Sequence, residues 1–193
     1  MKLLHIDSSI QGNASVSRIV SAAVVKLLRR DIADLQVSDR DLVADPIGQL
    51  TMTALGDAQA QELVDEFLAA DIVVIGAPLY NFTISSQLKS WLDRIVMAGR
   101  TFRYVANGSE GLAGGKRVIV ALARGGVYSE GSPIASDEHA ETLLRTIFRF
   151  IGINDPEFII AEGVALGAEP RRAAIELALK QVSEMAHSRR QAQ

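Results

Sequence analysis

Residues 8–18 read Ser8-Ser9-Ile10-Gln11-Gly12-Asn13-Ala14-Ser15-Val16-Ser17-Arg18 and run straight into an amphipathic stretch. Serine hydroxyls and one cation thereby meet a helix start, where the first backbone N–H groups lack partners and the peptide dipoles leave a partial positive charge. Those are the groups that hold a phosphate. A plainer reading of the same residues is that Ser15 or Ser17 simply caps the helix. Gly12 alone does not make the G-x-G-x-x-G fingerprint that lets a backbone approach a pyrophosphate. The stretch Gly111-Leu112-Ala113-Gly114-Gly115-Lys116 is no Walker motif, because Arg117 stands where a hydroxyl residue is required. A hydroxyl-rich loop of this kind suits a single terminal phosphate monoester.

Two further stretches could handle a planar ligand. Gly76-Ala77-Pro78-Leu79-Tyr80-Asn81-Phe82 gathers two aromatics and an amide. Aromatic faces hold a flat ring, and an amide both donates and accepts at a ring edge. Here the alternative is a capped turn with its aromatics tucked onto the core. Ala123-Arg124-Gly125-Gly126-Val127-Tyr128 has paired glycines whose N–H groups can come close to a ligand and favour negative charge there. It also reads as a bare flexible turn. His5, His139 and His187 show no ligand-pair spacing, so no metal site is expected. There is no G-x-S-x-G elbow. Asp7 lacks the companions of a phospho-acceptor aspartate, since the third strand ends in Gly76-Ala77-Pro78 and the last in Ala161-Glu162-Gly163.

The elements that must position these loops alternate in period. Leu3–Ile6, Leu35–Leu42, Ile72–Ile75, Val118–Leu122 and Phe158–Ala161 read as strands, with Gly76 and Pro78 closing the third. Apolar residues recur at helical spacing through Val16–Leu28, Ala60–Leu68, Ile84–Val96, Leu143–Ile151 and Ile175–Met185, with Trp91 as core. Strands alternating with helices predict an α/β, three-layer fold with a five-stranded parallel sheet. The polar second strand belongs at an edge, which selects the order 2-1-3-4-5. Ligands then bind beyond the carboxyl ends of the strands, where all three loops emerge.

The chain has 193 residues, 48% hydrophobic and 22% charged, an ordinary globular composition that predicts one domain over residues 1–193. A net charge of −3 argues against a nucleic-acid or anionic-membrane binder. With no cysteine, disulfides, thiolate catalysis, zinc–thiolate sites and iron–sulfur clusters are excluded. No apolar run approaches the roughly 18 residues of a membrane span. The Met1–Asp7 start meets charge too soon for a signal peptide. A cytoplasmic protein is expected.

Ser8-Ser9-Ile10 with Ser15-Val16-Ser17, then Ala77–Phe82, then Arg124-Gly125-Gly126, resembles the FMN-dependent NADH azoreductase family. Thr101-Phe102-Arg103-Tyr104, Asn107-Gly108, Glu110-Gly111-Leu112 and Phe150-Ile151-Gly152-Ile153 extend the resemblance essentially end to end. It implies a flavodoxin-like homodimer with one FMN per subunit near the dimer interface, reducing quinones and azo compounds with NADH. It further implies that Ser9, Ser15, Val16 and Ser17 hold the FMN phosphate. Leu79, Tyr80, Asn81 and Phe82 would flank the isoalloxazine, and Ala123, Arg124, Gly125 and Gly126 would line its other edge. Phe102, Tyr104 and Phe158, with Asn81 and Phe82, would form the substrate rim. Ala123 stands where the family often has Ser, and Leu79 where Met is common.

The cofactor carries the chemistry in such a protein, so no dedicated catalytic residue is expected. NADH and acceptor would use one space in turn, giving ping-pong kinetics. The alternative is a flavodoxin-type electron carrier with no turnover of its own. Such a carrier relies on a strongly acidic surface, for which −3 is weak support.

Overall fold

A computed structural model describes residues 1–191, with side chains described through residue 185. The last two residues of the expected single unit lie outside the described residues. β1 (Lys2–Asp7) leads into α1 (Val16–Asp31), and β2 (Gln36–Asp41) into α2 (Ala58–Ala69). β3 (Ile72–Tyr80) turns back through β4 (Thr83–Ile84) into α3 (Ser86–Ile95). The hairpin β5 (Phe102–Val105) and β6 (Gly108–Gly111) precedes β7 (Arg117–Ala123), α4 (Ala140–Phe150), β8 (Glu157–Ala161) and α5 (Ala168–Gln191).

The five parallel strands lie in the order β2-β1-β3-β7-β8, the expected 2-1-3-4-5 arrangement. Alternation along each strand divides the core in two, because successive side chains point to opposite faces. Leu4, Ile6, Val73, Ile75, Val118 and Val120 pack with α2, α3 and α4 on one face. Leu3, Ile72, Val74, Ile119 and Ala121 pack with α1 and α5 on the other. Each such Leu, Ile or Val side chain, fully buried, stabilises the fold by about 1.5–3 kcal/mol. β2 is partly exposed along its length, as its polar sequence requires of an edge. Ser15, Asp57 and Ser85 cap α1, α2 and α3 with side-chain oxygens.

The structure differs from the sequence reading at three places. β3 does not stop at Gly76 but runs on to Tyr80. Pro78 is tolerated there for a geometric reason. Gly76 turns its carbonyl toward β1, accepting from Ser8 N, and Pro78, two residues on, faces the same side. β1 has ended by then, with Asp7 opposite Gly76, so the missing N–H breaks no ladder bond. Ile84 belongs to β4 rather than to the third helix, and Val96 is that helix's C-cap. The β5–β6 hairpin forms where the apolar periodicity marks no strand. Its Arg103, Tyr104 and Val105 are exposed, so it lacks the apolar alternation that marks a half-buried strand.

Candidate functional site

The strand register brings the three loops to one end of the sheet. Asp7 lies opposite Gly76, Pro78 opposite Ala123, and Ala123 opposite Ala161. The chain leaving β1 is pinned at once. Ser8 is fully buried, and its hydroxyl donates to the Gly76 carbonyl at 2.9 Å. The Ser9 hydroxyl lies 2.9 Å from the Tyr80 hydroxyl, joining the β1 loop to the end of β3. The Ser15 and Ser17 hydroxyls lie 3.0 Å apart, and Ser15 also accepts from Arg18 N. Ser15 therefore caps α1, as the plainer reading held.

Hydrogen counting shows what remains. A hydroxyl pair uses one O–H hydrogen between its members and leaves the other free. The Ser9–Tyr80 and Ser15–Ser17 pairs thus leave two donors. The Val16 and Ser17 amides, in the first helical turn, precede the helix's own ladder and add two more. Val16 can contribute only its backbone, because its side chain is buried beneath the sheet with Val20 and Val24. Arg18, by contrast, is fully engaged with Ser9, Asp41 and Asp7.

Asn81 and Phe82 form the two-residue turn between β3 and β4, with Tyr80 paired to Thr83. Both have positive φ, 45° and 71°. This turn geometry matches strand twist but strongly prefers glycine at the second position. The Phe82 carbonyl is fixed by the His139 amide at 2.9 Å. The Asn81 side-chain amide has no hydrogen-bond partner among the described residues, and the Phe82 ring is exposed. Tyr80 and Asn81 border a cavity of about 460 Å³ that Ile10, Gln87 and Leu143 also line. Leu79 is half-buried at the end of β3.

After β7, the carbonyls of Arg124, Gly125 and Gly126 accept from the Val164, Ala165 and Gly163 amides. Among the described residues no acceptor takes the Gly125 and Gly126 N–H groups, which leaves them available to a ligand. Arg124 itself is buried, with its guanidinium 2.9 Å from Glu162, 2.7 Å from Glu141 and 3.5 Å from Glu138. It braces the loop through carboxylates, a role the glycine motif did not reveal. Burial pushes the Glu162 carboxyl up. Hydrogen bonds from Arg124, Ser129 and the Tyr128 amide outweigh that and hold it below the usual range. Ala123 is buried at the strand end.

The expected rim residues separate. Phe102 is buried against Phe150, ring centroids 4.6 Å apart, and meets exposed Tyr104 edge-on at 5.4 Å. With Leu50, Leu55, Arg94 and Met97 they line a different cavity, about 400 Å³, that none of the three loops enters. Phe158 borders neither cavity. It lies half-buried on β8 under the Arg145 guanidinium, 4.3 Å from the ring centroid. The structure thus joins Ser9, Ser15–Ser17, Tyr80–Phe82 and Ala123–Gly126 at one end of the sheet, and leaves Phe102, Tyr104 and Phe158 elsewhere. Among the described residues no cluster could hold a metal ion.

Comparison with known proteins agrees with this fold. The family described as having the flavodoxin-like fold matches residues 1–186. An FMN-dependent NADH:quinone oxidoreductase of Methylorubrum populi is 56% identical, over 93% of this chain and 96% of its own. A Bradyrhizobium diazoefficiens protein of the same name, numbered 2, is 52% identical over 96% and 98%. Among solved structures, an azoreductase from Bacillus anthracis superposes with a TM-score of 0.88 at 27% identity, covering 97% of this chain and 99% of that one. An FMN-dependent NADH-azoreductase of the same species, in complex with FMN, superposes at 0.87 with 27% identity over 97% and 98%.

Proposed function

The chain belongs to the family with the flavodoxin-like fold, and we propose that it is an FMN-dependent oxidoreductase reducing quinones and azo compounds with NADH or NADPH. The observation that carries this reading is the bond between Ser9 and Tyr80, because it ties a phosphate-holding loop to a ring-holding one. FMN bound there would supply two-electron transfer from nicotinamide to acceptor. Ser9, Ser15 and Ser17 would offer hydroxyls to its phosphate, with the Val16 and Ser17 amides beside them. Leu79, Tyr80, Asn81 and Phe82 would flank the ring, with the free Asn81 amide reading one edge. The Gly125 and Gly126 N–H groups would face the other edge, set by Ala123 and by braced Arg124. Donors placed before the reaction stabilise negative charge without reorganisation.

The same reading makes residues 1–193 one functional unit that works as a cytoplasmic homodimer. Its support is the displaced rim: Phe102 and Tyr104 border a cavity with no cofactor-holding residue, and Tyr104 stands 77% exposed. A second copy would bring those aromatics over the first copy's ring. No helix among the described residues is long and apolar enough to cross a membrane.

The test is the visible absorption spectrum of the purified protein, followed by anaerobic NADH. A flavin band that bleaches supports the reading, and a colourless protein that refuses added FMN overturns it. NADH oxidation with a small quinone then separates an enzyme from an electron carrier. If both substrates share one space, initial-rate lines run parallel; intersecting lines would exclude that.

A further inference from the structure

Arg18 is the only cation of the phosphate loop, and its charge is directed away from that task. Its Nε and Nη2 both donate to the Ser9 carbonyl, at 3.2 and 2.9 Å. Its Nη1 and Nη2 donate to the two carboxylate oxygens of Asp41, at 2.8 and 2.7 Å. Nη1 also lies 3.7 Å from Asp7. A guanidinium has five N–H donors in a fixed fork, and four of these are taken by Ser9 and Asp41. Two carboxylates balance its single charge, and its side chain is only 17% exposed.

The bridge spans three elements. Arg18 sits in the first turn of α1, Ser9 follows β1, and Asp41 ends β2. Ser9 is the residue whose hydroxyl meets Tyr80. Holding the Ser9 carbonyl from behind therefore fixes the near wall of the cradle against the helix that supplies its amides. Asp41 is itself anchored, accepting from the Val43 amide at 2.9 Å, so the clamp has a rigid far end.

We infer that Arg18 is a positioning residue for the phosphate loop. It shapes the cradle through the Ser9 carbonyl, with Asp41 as its counter-charge, and does not touch the phosphate. This rests on the FMN reading above. It accounts for a phosphate loop whose own cation is neutralised: the anion is met by hydroxyl and amide dipoles at a helix start, with the Arg171 guanidinium on the Ala14 carbonyl as the other cation bonded to the loop.

The experiment is titration of apoprotein with FMN and with riboflavin, the same ring without a phosphate, followed by flavin fluorescence. Circular dichroism melts check that each variant is folded. Arg18→Ala is expected to weaken FMN binding by about ten- to a hundredfold while riboflavin changes less than about threefold. Arg18→Lys should lose nearly as much, because a point charge cannot make the forked bridge. Asp41→Asn should also weaken FMN, by about tenfold. A phosphate-contacting Arg18 gives the opposite pattern: Arg18→Lys keeps affinity, and Asp41→Asn, by freeing the guanidinium, raises it. Either result overturns the inference, as does equal loss of FMN and riboflavin in Arg18→Ala. Wild-type protein that binds no FMN would instead remove the cofactor reading, and this one with it.

Discussion

Phe82 occupies a backbone conformation that suits glycine, at φ 71° and directly after Asn81 at φ 45°. A non-glycine residue held there costs about 1–3 kcal/mol, and the cost is tolerated where the side chain is needed. The ring is half exposed, so the fold gains little from it. Phe82→Gly is therefore expected to raise the apoprotein's stability by about 1 kcal/mol, measured by urea unfolding, while lowering quinone reduction. An unchanged rate in the stabilised variant would show that the ring is dispensable. Asn81→Gly keeps the turn and deletes the amide. It should weaken FMN retention about tenfold. Ser17→Ala should cost only about threefold, because neighbouring donors share the phosphate. A Ser17 loss exceeding the Asn81 loss would reverse the ranking, and equilibrium dialysis decides it.

Between elements, the Arg18–Asp41 pair predicts an acid response. The hydrogen bond from Arg18 lowers the Asp41 carboxyl most. It prevails over burial, and with the Val43 amide holds the group at about 2. A depressed carboxyl stabilises the fold above its unfolded value near 4, and that contribution fades as pH falls toward about 2. With the Asp41 side chain 39% exposed, solvent screening reduces it to about 1 kcal/mol. Asp41→Asn should flatten stability across that window in pH-dependent denaturant melts, leaving neutral pH to report the lost ion pair alone. Gly111 sets a second joint. A methyl there would meet the Gly152 amide nitrogen at 2.1 Å and the Ile151 carbonyl carbon at 2.3 Å, both backbone. Gly111→Ala should cost about 2–4 kcal/mol in chemical denaturation and displace the Tyr104 hairpin, raising the acceptor KM more than the FMN dissociation constant. The strand order could be read from the sequence because the buried strands are continuous apolar runs and the edge strand is polar. Neither Asp41 nor Glu138, Glu141 and Glu162 could be assigned to the loops they brace. Their partners lie 14 to 38 residues away, and a lone acidic residue has no periodicity to betray it. The Pro78 strand and the exposed β5–β6 hairpin escaped for the complementary reason: their pairing is decided by tertiary neighbours.

For the assembled protein, the proposed homodimer, in which Tyr104 and the cofactor loops border different cavities, has a mixing test. One variant carries Ser17→Ala with Asn81→Gly, and the other carries Tyr104→Ser. If each copy lends its rim to the other copy's cofactor, random reassociation restores one intact site in each mixed dimer, about a quarter of all sites. Turnover rising to about that fraction on mixing supports the shared arrangement, and no recovery places Tyr104 outside it. The buried Trp91 gives such experiments their own optical signal. It is the chain's one tryptophan, fully enclosed on α3 and meeting Phe67 edge-on at 5.8 Å. Indole emission therefore comes from a single site in a water-free setting, short in wavelength until the core opens. If the flavin sits at the sheet's end as proposed, α3, which begins just after the Asn81–Phe82 turn, sets an ultraviolet-excited indole near enough to hand it energy. Quenching without a shift in wavelength would then report occupancy, a red shift would report unfolding, and one cuvette would distinguish the two.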